Sequence, residues 1–150
     1  MAIARGAGTE IIRSTLYEDI GAVATNLIVG VQHHIYTVLS VTVHAVAVNT
    51  SDNYVKMHIQ GFDTGPNYAT AQVIKIFQQT MNANETFVWN DKFSFNGFEG
   101  VALSSTLSTT AEQDVIADQG SSVVQYLIIN GGNANNQFDG NCTYIDQNNA

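Results

Sequence analysis

The stretch Tyr54 to Gly61, YVKMHIQG, places Val55, Met57 and Ile59 on one side of an extended chain and Tyr54, Lys56, His58 and Gln60 on the other. A repeat of two is the signature of a strand with one face in the core. GVALSSTLS, residues 100 to 108, has the same phase. It sets Val101, Leu103 and Leu107 inward and leaves Ser104 and Thr106, like Lys56, exposed. SVVQYLIIN, Ser122 to Asn130, is apolar on both faces apart from Gln125 and Tyr126. That pattern fits a central strand covered on each side, or an oligomer interface. QVIKIFQQ (residues 72 to 79) and ETFVWND (residues 85 to 91) add two strands, and EIIRSTLYED (residues 10 to 19) reads as an edge strand, with a short helix as the alternative. Helical spacing is hard to find anywhere.

Turn chemistry divides these runs. Asn96-Gly97 in FSFNGFEG predicts a type I′ hairpin, whose two central residues need positive φ. Pro66 in DTGPNYATA and the run TTAEQDVIADQG fall in loops. The end, NGGNANNQFDGNCTYIDQNNA, is so rich in Asn and Gly that it is expected to be mobile or ordered by a neighbour. The fold class is therefore all-β, an antiparallel two-sheet sandwich of jelly-roll type. A domain over residues 10–130 is expected between flexible arms at residues 1–9 and 131–150.

The 150 residues suffice for one domain, which at this size buries roughly two thirds of its unfolded surface. Charged residues are only 12 % of the chain, so its surface must be wetted by Asn, Gln, Ser and Thr. The net charge of −8 and the scatter of Arg5, Arg13, Lys56, Lys75 and Lys92 disfavour direct binding to nucleic acid or to anionic membranes. The apolar run from Leu27 to Val48 is broken by Gln32, His33, His34 and His44, and the N-terminal residues lack a long uncharged stretch. Neither a transmembrane helix nor a secretory signal is expected. Cys142 stands alone and reads as an inert thiol. The sequons at Asn49, Asn84 and Asn141 are expected to go unused.

Three of the four histidines lie in HHIYTVLSVTVHAVAVN, residues 33 to 49. His33 and His34 are adjacent, so on a strand they face opposite ways and cannot chelate one ion together. If Asn49 to Asn53 form a hairpin loop, Val48 faces Tyr54 and His44 faces His58, with Cβ atoms about 5 Å apart on an outward face. Two imidazoles need a third ligand for zinc, and so no metal or other cofactor is expected. Glu112, Asp114 and Asp118 lack calcium-loop spacing. There is no G-x-S-x-G elbow, and NGGNA (residues 130 to 134) lacks the Gly-Lys-Ser ending of a phosphate loop. No catalytic residue is expected. Phe87, Trp89, Phe93, Phe95 and Phe98 read as core, the rival use being a sugar-stacking platform that requires Trp89 in solvent.

The succession IYTVLSVTVHAVAVNTS (35–51), NANETFVWNDKFSF (82–95), GVALSST (100–106) and VVQYLII (123–129) resembles small β-sandwich virion proteins of tailed bacteriophages. The likeness lies in β-branched strands, Asn/Thr/Ser-rich turns and sparse charge over residues 33 to 130. It implies a non-enzymatic capsid decoration (cement) protein, found in the virion after assembly in the host cytoplasm. Its implied partners are the major capsid protein, or other virion proteins, and further copies of itself in a homo-oligomer. Neck, tail or fibre components are the nearest alternative, and a carbohydrate-binding sandwich is the alternative of another class.

Overall fold

A computed structural model describes residues 9–62, 72–98, 109–111 and 124–148. Its strands are β1 (Thr9–Ile20), β2 (Thr25–Val29), β3 (His34–Ala47), β4 (Tyr54–Phe62), β5 (Gln72–Thr80), β6 (Thr86–Trp89), β7 (Phe93–Asn96), β8 (Tyr126–Gly131) and β9 (Gln137–Asn148). They form a five-stranded sheet in the order β1-β9-β3-β6, with β7 also paired to β3, and a four-stranded sheet in the order β2-β8-β4-β5. Every pairing is antiparallel. The chain is an all-β two-sheet sandwich.

Alternation explains the packing. In β4, Val55, Met57 and Ile59 are buried, as their period of two requires, while Lys56 on the other face is half-buried. Leu127, Ile128 and Ile129 are all buried because β8 runs between β2 and β4. In β3 the buried series changes phase, from Tyr36 and Val38 to Val41, Val43 and Ala45. A register shift between Val38 and Ser40 inserts one residue and returns the apolar set to the core. The edge-strand reading of residues 10–19 corresponds to β1, which pairs with β9.

The Asn/Gly-rich end departs from expectation. Residues 137–148 form no arm: they are β9, the strand between β1 and β3. Phe138, Gly140, Cys142, Tyr144 and Asp146 are buried in strict alternation, while Asp139, Asn141 and Thr143 face outward. The polar residues that gave the segment its loop-like composition occupy one face. At the other end, Thr9 opens β1, and residues 1–8 lie outside the described residues.

Asn96-Gly97 is not a hairpin turn either. Gly97 does not take positive φ, and the chain runs on to Phe98, which bridges Val124. The glycine serves close approach instead: a Cβ at Gly97 would overlap the Val31 carbonyl, and one at Gly30 would overlap that of Gly97. The Gly97 N–H donates to the His34 carbonyl and its own carbonyl accepts from Gln125 N–H, so this backbone stitches the two sheets together. Val101, Leu103, Ser104, Thr106 and Leu107, the Pro66 loop and most of TTAEQDVIADQG lie outside the described residues.

The segment between β3 and β4 crosses from one sheet to the other, which rules out the hairpin expected at Asn49 to Asn53. Asn136, 1 % exposed, accepts from Asn49 N–H at 2.8 Å and donates through Nδ2 to the Asp52 carbonyl at 2.9 Å. Both ends of the crossover are thus held by one buried amide.

If residues 137–148 are core, Phe138→Ala should cost about 3–5 kcal/mol, whereas Asn135→Ala, at an exposed turn position, should stay within about 0.5 kcal/mol. Urea denaturation of the two variants checks this, and equal midpoints would contradict a core β9.

Candidate functional site

The buried ionic cluster at one end of the five-stranded sheet was not evident from the sequence. Asp146 sits on the core face of β9 and is 1 % exposed. Its Oδ2 accepts from Arg13 Nη1 of β1 at 3.2 Å, and its Oδ1 lies 2.7 Å from His34 Nδ1 at the start of β3. The carboxylate therefore ties together the three strands that frame the sheet. The Tyr36 ring stacks near His34 at 6.0 Å and on Phe95 at 5.4 Å, and its hydroxyl accepts from Val31 N–H at 3.1 Å. Burial, reinforced by the negative charge of Asp146, pushes the Tyr36 phenol up to about 12, so it stays protonated. With both carboxylate oxygens engaged, the cluster has the chemistry of a structural clamp. Its signal was the alternation of β9: extending the phase of Phe138, Cys142 and Tyr144 by one step puts Asp146 in the core.

The histidines separate. His33 has φ 65° in the turn before β3, while His34 turns inward to Asp146, so the adjacent pair does face different surroundings. His44 lies on β3 in the five-stranded sheet, opposite Asp139 and Thr86, with its Nδ1 at 2.9 Å from Thr86 Oγ1. His58 lies on β4 in the four-stranded sheet, opposite Ile128 and Lys75. The expected cross-strand pair of His44 and His58 therefore does not form, because the intervening loop changes sheets. Burial, then the charges of Lys56 and Lys75, hold His58 below the ordinary 6.5.

His44 and Asp139 border a shallow depression of about 240 Å³ on the outer face, also lined by Leu16, Thr42, Gly140 and Asn141. Asp139 Oδ1 accepts from Asp19 N–H at 3.1 Å, which leaves that carboxylate already engaged. Among the described residues no group of three His, Cys, Asp or Glu side chains is placed to hold a metal ion. Glu112, Asp114 and Asp118 lie outside those residues.

Trp89 is half-buried on the core side of β6, where it stacks on Phe77 of β5 at 5.6 Å, and Phe87 meets the same ring at 5.0 Å. These aromatics wedge the two sheets together, so one face of the indole is unavailable to a sugar. Phe95 is buried against Tyr36, and Phe93 packs partly against the core. Cys142 is fully buried and burial pushes its thiol up to about 12, which leaves it an unreactive, neutral side chain.

No family model and no curated protein matches this sequence. Among solved structures the chain is similar to one described as "Bacillus endospore appendages form a novel family of disulfide-linked pili", with 12% identity, 100% of this chain and 97% of that chain covered, and a TM-score of 0.41.

Two outcomes follow from these environments. Asp146→Ala should destabilise by about 1–3 kcal/mol because it leaves the part-buried His34 without its partner, and Arg13→Ala should cost a comparable amount, because although its own side chain is 54% exposed its loss leaves the buried carboxylate with His34 alone. Urea midpoints of the two variants distinguish a clamp from a surface pair. The lowered His58 means that the unfolded chain binds the extra proton first. Its contribution to stability is full above pH 6.5 and falls as pH drops from there through the folded value. His58→Gln should flatten that part of the stability profile between pH 7 and pH 5, and an unchanged slope would contradict it.

Proposed function

We propose that this chain is a non-enzymatic structural protein whose work is done by surface. The finer reading is a capsid decoration protein that docks on the major capsid protein shell of a tailed phage, is found in the virion, and is assembled in the host cytoplasm. The observation that carries the structural reading is where the apolar surface lies. Ile12, Leu16 and Val23 are 72%, 71% and 80% exposed, and Val29, Val73, Ile74 and Val88 are each about half exposed. On a chain that is 12 % charged, such residues supply apolar contact points with few strongly hydrated groups among them. By contrast, among the described residues the carboxylate of Asp146 is doubly held and the thiol of Cys142 is buried. The virion reading rests on the sequence likeness over residues 33 to 130. Gluing one flat surface to another requires area and shape, which a charge-poor sandwich supplies.

Mass spectrometry of purified virions tests this reading. The expected result is the chain at a fixed copy number relative to the major shell protein, and its absence from washed particles would reject a virion role.

A further inference from the structure

We propose that copies of this protein join edge to edge, with β1 of one molecule adding to β5 of the next and so fusing the five-stranded sheet of one sandwich to the four-stranded sheet of its neighbour. The proposal rests on the structural-subunit reading above and names the partner, a second copy of this chain.

Among the described residues β1 pairs only with β9, and β5 only with β4, so each strand stands at the edge of its sheet. An edge strand is a template for another strand, and soluble proteins usually blunt it with proline, bulges or inward charges. Neither strand contains proline; β1 does carry a register shift between Tyr17 and Ile20 and the core-side charge of Arg13, but ahead of these each strand has two adjacent exposed apolar residues: Ile11 and Ile12 at 39% and 72%, Val73 and Ile74 each at 51%. Within each sheet these residues take opposite sides. Ile11 lies opposite the buried Asp146 and Ile74 opposite the buried Ile59, which places both on the core side. Ile12 lies opposite Ile145 and Val73 opposite Gln60, on the outer side.

One antiparallel register matches all of them. With Glu10 opposite Lys75, Ile11 meets Ile74 on the core side, Ile12 meets Val73 on the outer side, and the charges at the end of the pairing are opposite in sign. Charge complementarity favours this arrangement over the like-edge pairing centred on Ser14. A β1–β1 contact centred on Ser14 brings Ile12 against Leu16, but it also sets Glu10 against Glu18 at both ends, in a chain of net charge −8. Opposite charges facing each other across strands are favourable and like charges are not. On β1, Glu10, Glu18 and Asp19 outnumber Arg13, while the only charge on β5 is Lys75. The matching segment is short because the register of β5 shifts at Ile76, between Lys75 and Phe77. A contact of this size is individually weak, so association is expected to grow only as concentration rises. Because two different edges meet, the contact is heterologous. It propagates to a ring or a filament and does not stop at a closed dimer.

Sedimentation velocity of the full chain over a range of concentrations, at low ionic strength, tests the proposal. The parent is expected to form species beyond the dimer as concentration rises. E10K and K75E each face like charge with like and should weaken association roughly tenfold, in line with cross-strand charge effects. An equimolar mixture of E10K and K75E should regain parental association, because each reversed edge then meets the other, and the double variant E10K/K75E should regain it alone. Ile12→Lys, at a position 72% exposed, should leave the fold intact and the protein monomeric. Stronger association of E10K would overturn the proposal in favour of β1–β1 pairing. Failure of the mixture to recover, or a parent that stays monomeric up to its solubility limit, would also overturn it. A monomeric parent that is nevertheless present in virions would refute the edge contact and leave the virion role standing, whereas assembly in solution with absence from virions would do the reverse.

Discussion

The five-stranded sheet depends on its last strand occupying its middle. β1 and β3 are contributed by the first third of the chain, yet they do not pair with each other: β9 lies between them and pairs with both over most of its length. Until residues 137–148 are in place, Arg13 of β1 and His34 of β3 have no common partner, because the carboxylate that joins them belongs to β9. The core row from Phe138 to Tyr144 is likewise missing. The sheet is therefore made of contacts between residues far apart in sequence, and its assembly is bound to the slow, loop-closing kind.

The two sheets are held in relation by polar backbone contacts at a few crossings. Asn136 holds both ends of the β3–β4 crossover. The Gly97 backbone, which approaches Val31 and Gly30 too closely for a side chain, donates to His34 and accepts from Gln125. Gly131 donates to Gly21 and Gly132 to Tyr54. Each of these is a place where the chain leaves one sheet for the other, and each uses a residue with a small or amide side chain. The abundance of Asn and Gly thus has a structural use: these residues satisfy backbone groups that would otherwise be buried unpaired at the crossings.

Period-two alternation made β4 legible, because it reports which face of a strand is buried, and short apolar runs between turn residues did the same for β1, β5, β6 and β8. It does not report which sheet the strand belongs to. The loop Asn49 to Asn53 is equally long whether it closes a hairpin or spans the gap between sheets, and only Asn136, more than eighty positions away, decides. The His44 and His58 pairing failed on that point. β9 was hidden for a different reason. Its outward residues Asp139, Asn141 and Thr143 and its inward Gly140 gave the segment the composition of a loop, although the inward series Phe138, Cys142, Tyr144 kept strand phase. The Asp146 clamp was invisible for the same cause, since a carboxylate in a presumed tail needs no partner.

Among the described residues the polar groups of the core are mostly matched, and the more exposed apolar groups lie at the rims and outer faces. Asp146 is matched by two basic side chains, and the Tyr17 hydroxyl donates to the Leu27 carbonyl at 2.8 Å. The outer face of the five-stranded sheet is laced by hydroxyl pairs, Ser14 with Thr143 and Thr37 with Ser94, which satisfy each other without charge. Such pairs lower the affinity of that face for ions and leave the adjacent Ile12 and Leu16 as its most exposed apolar groups. An outward surface built from self-satisfied hydroxyls and isolated aliphatic side chains is cheap to desolvate, because few strongly hydrated groups must be stripped of water when another surface arrives. Sparse charge, which at first reads only as a quirk of composition, is in this sense the property that makes the molecule suited to being covered.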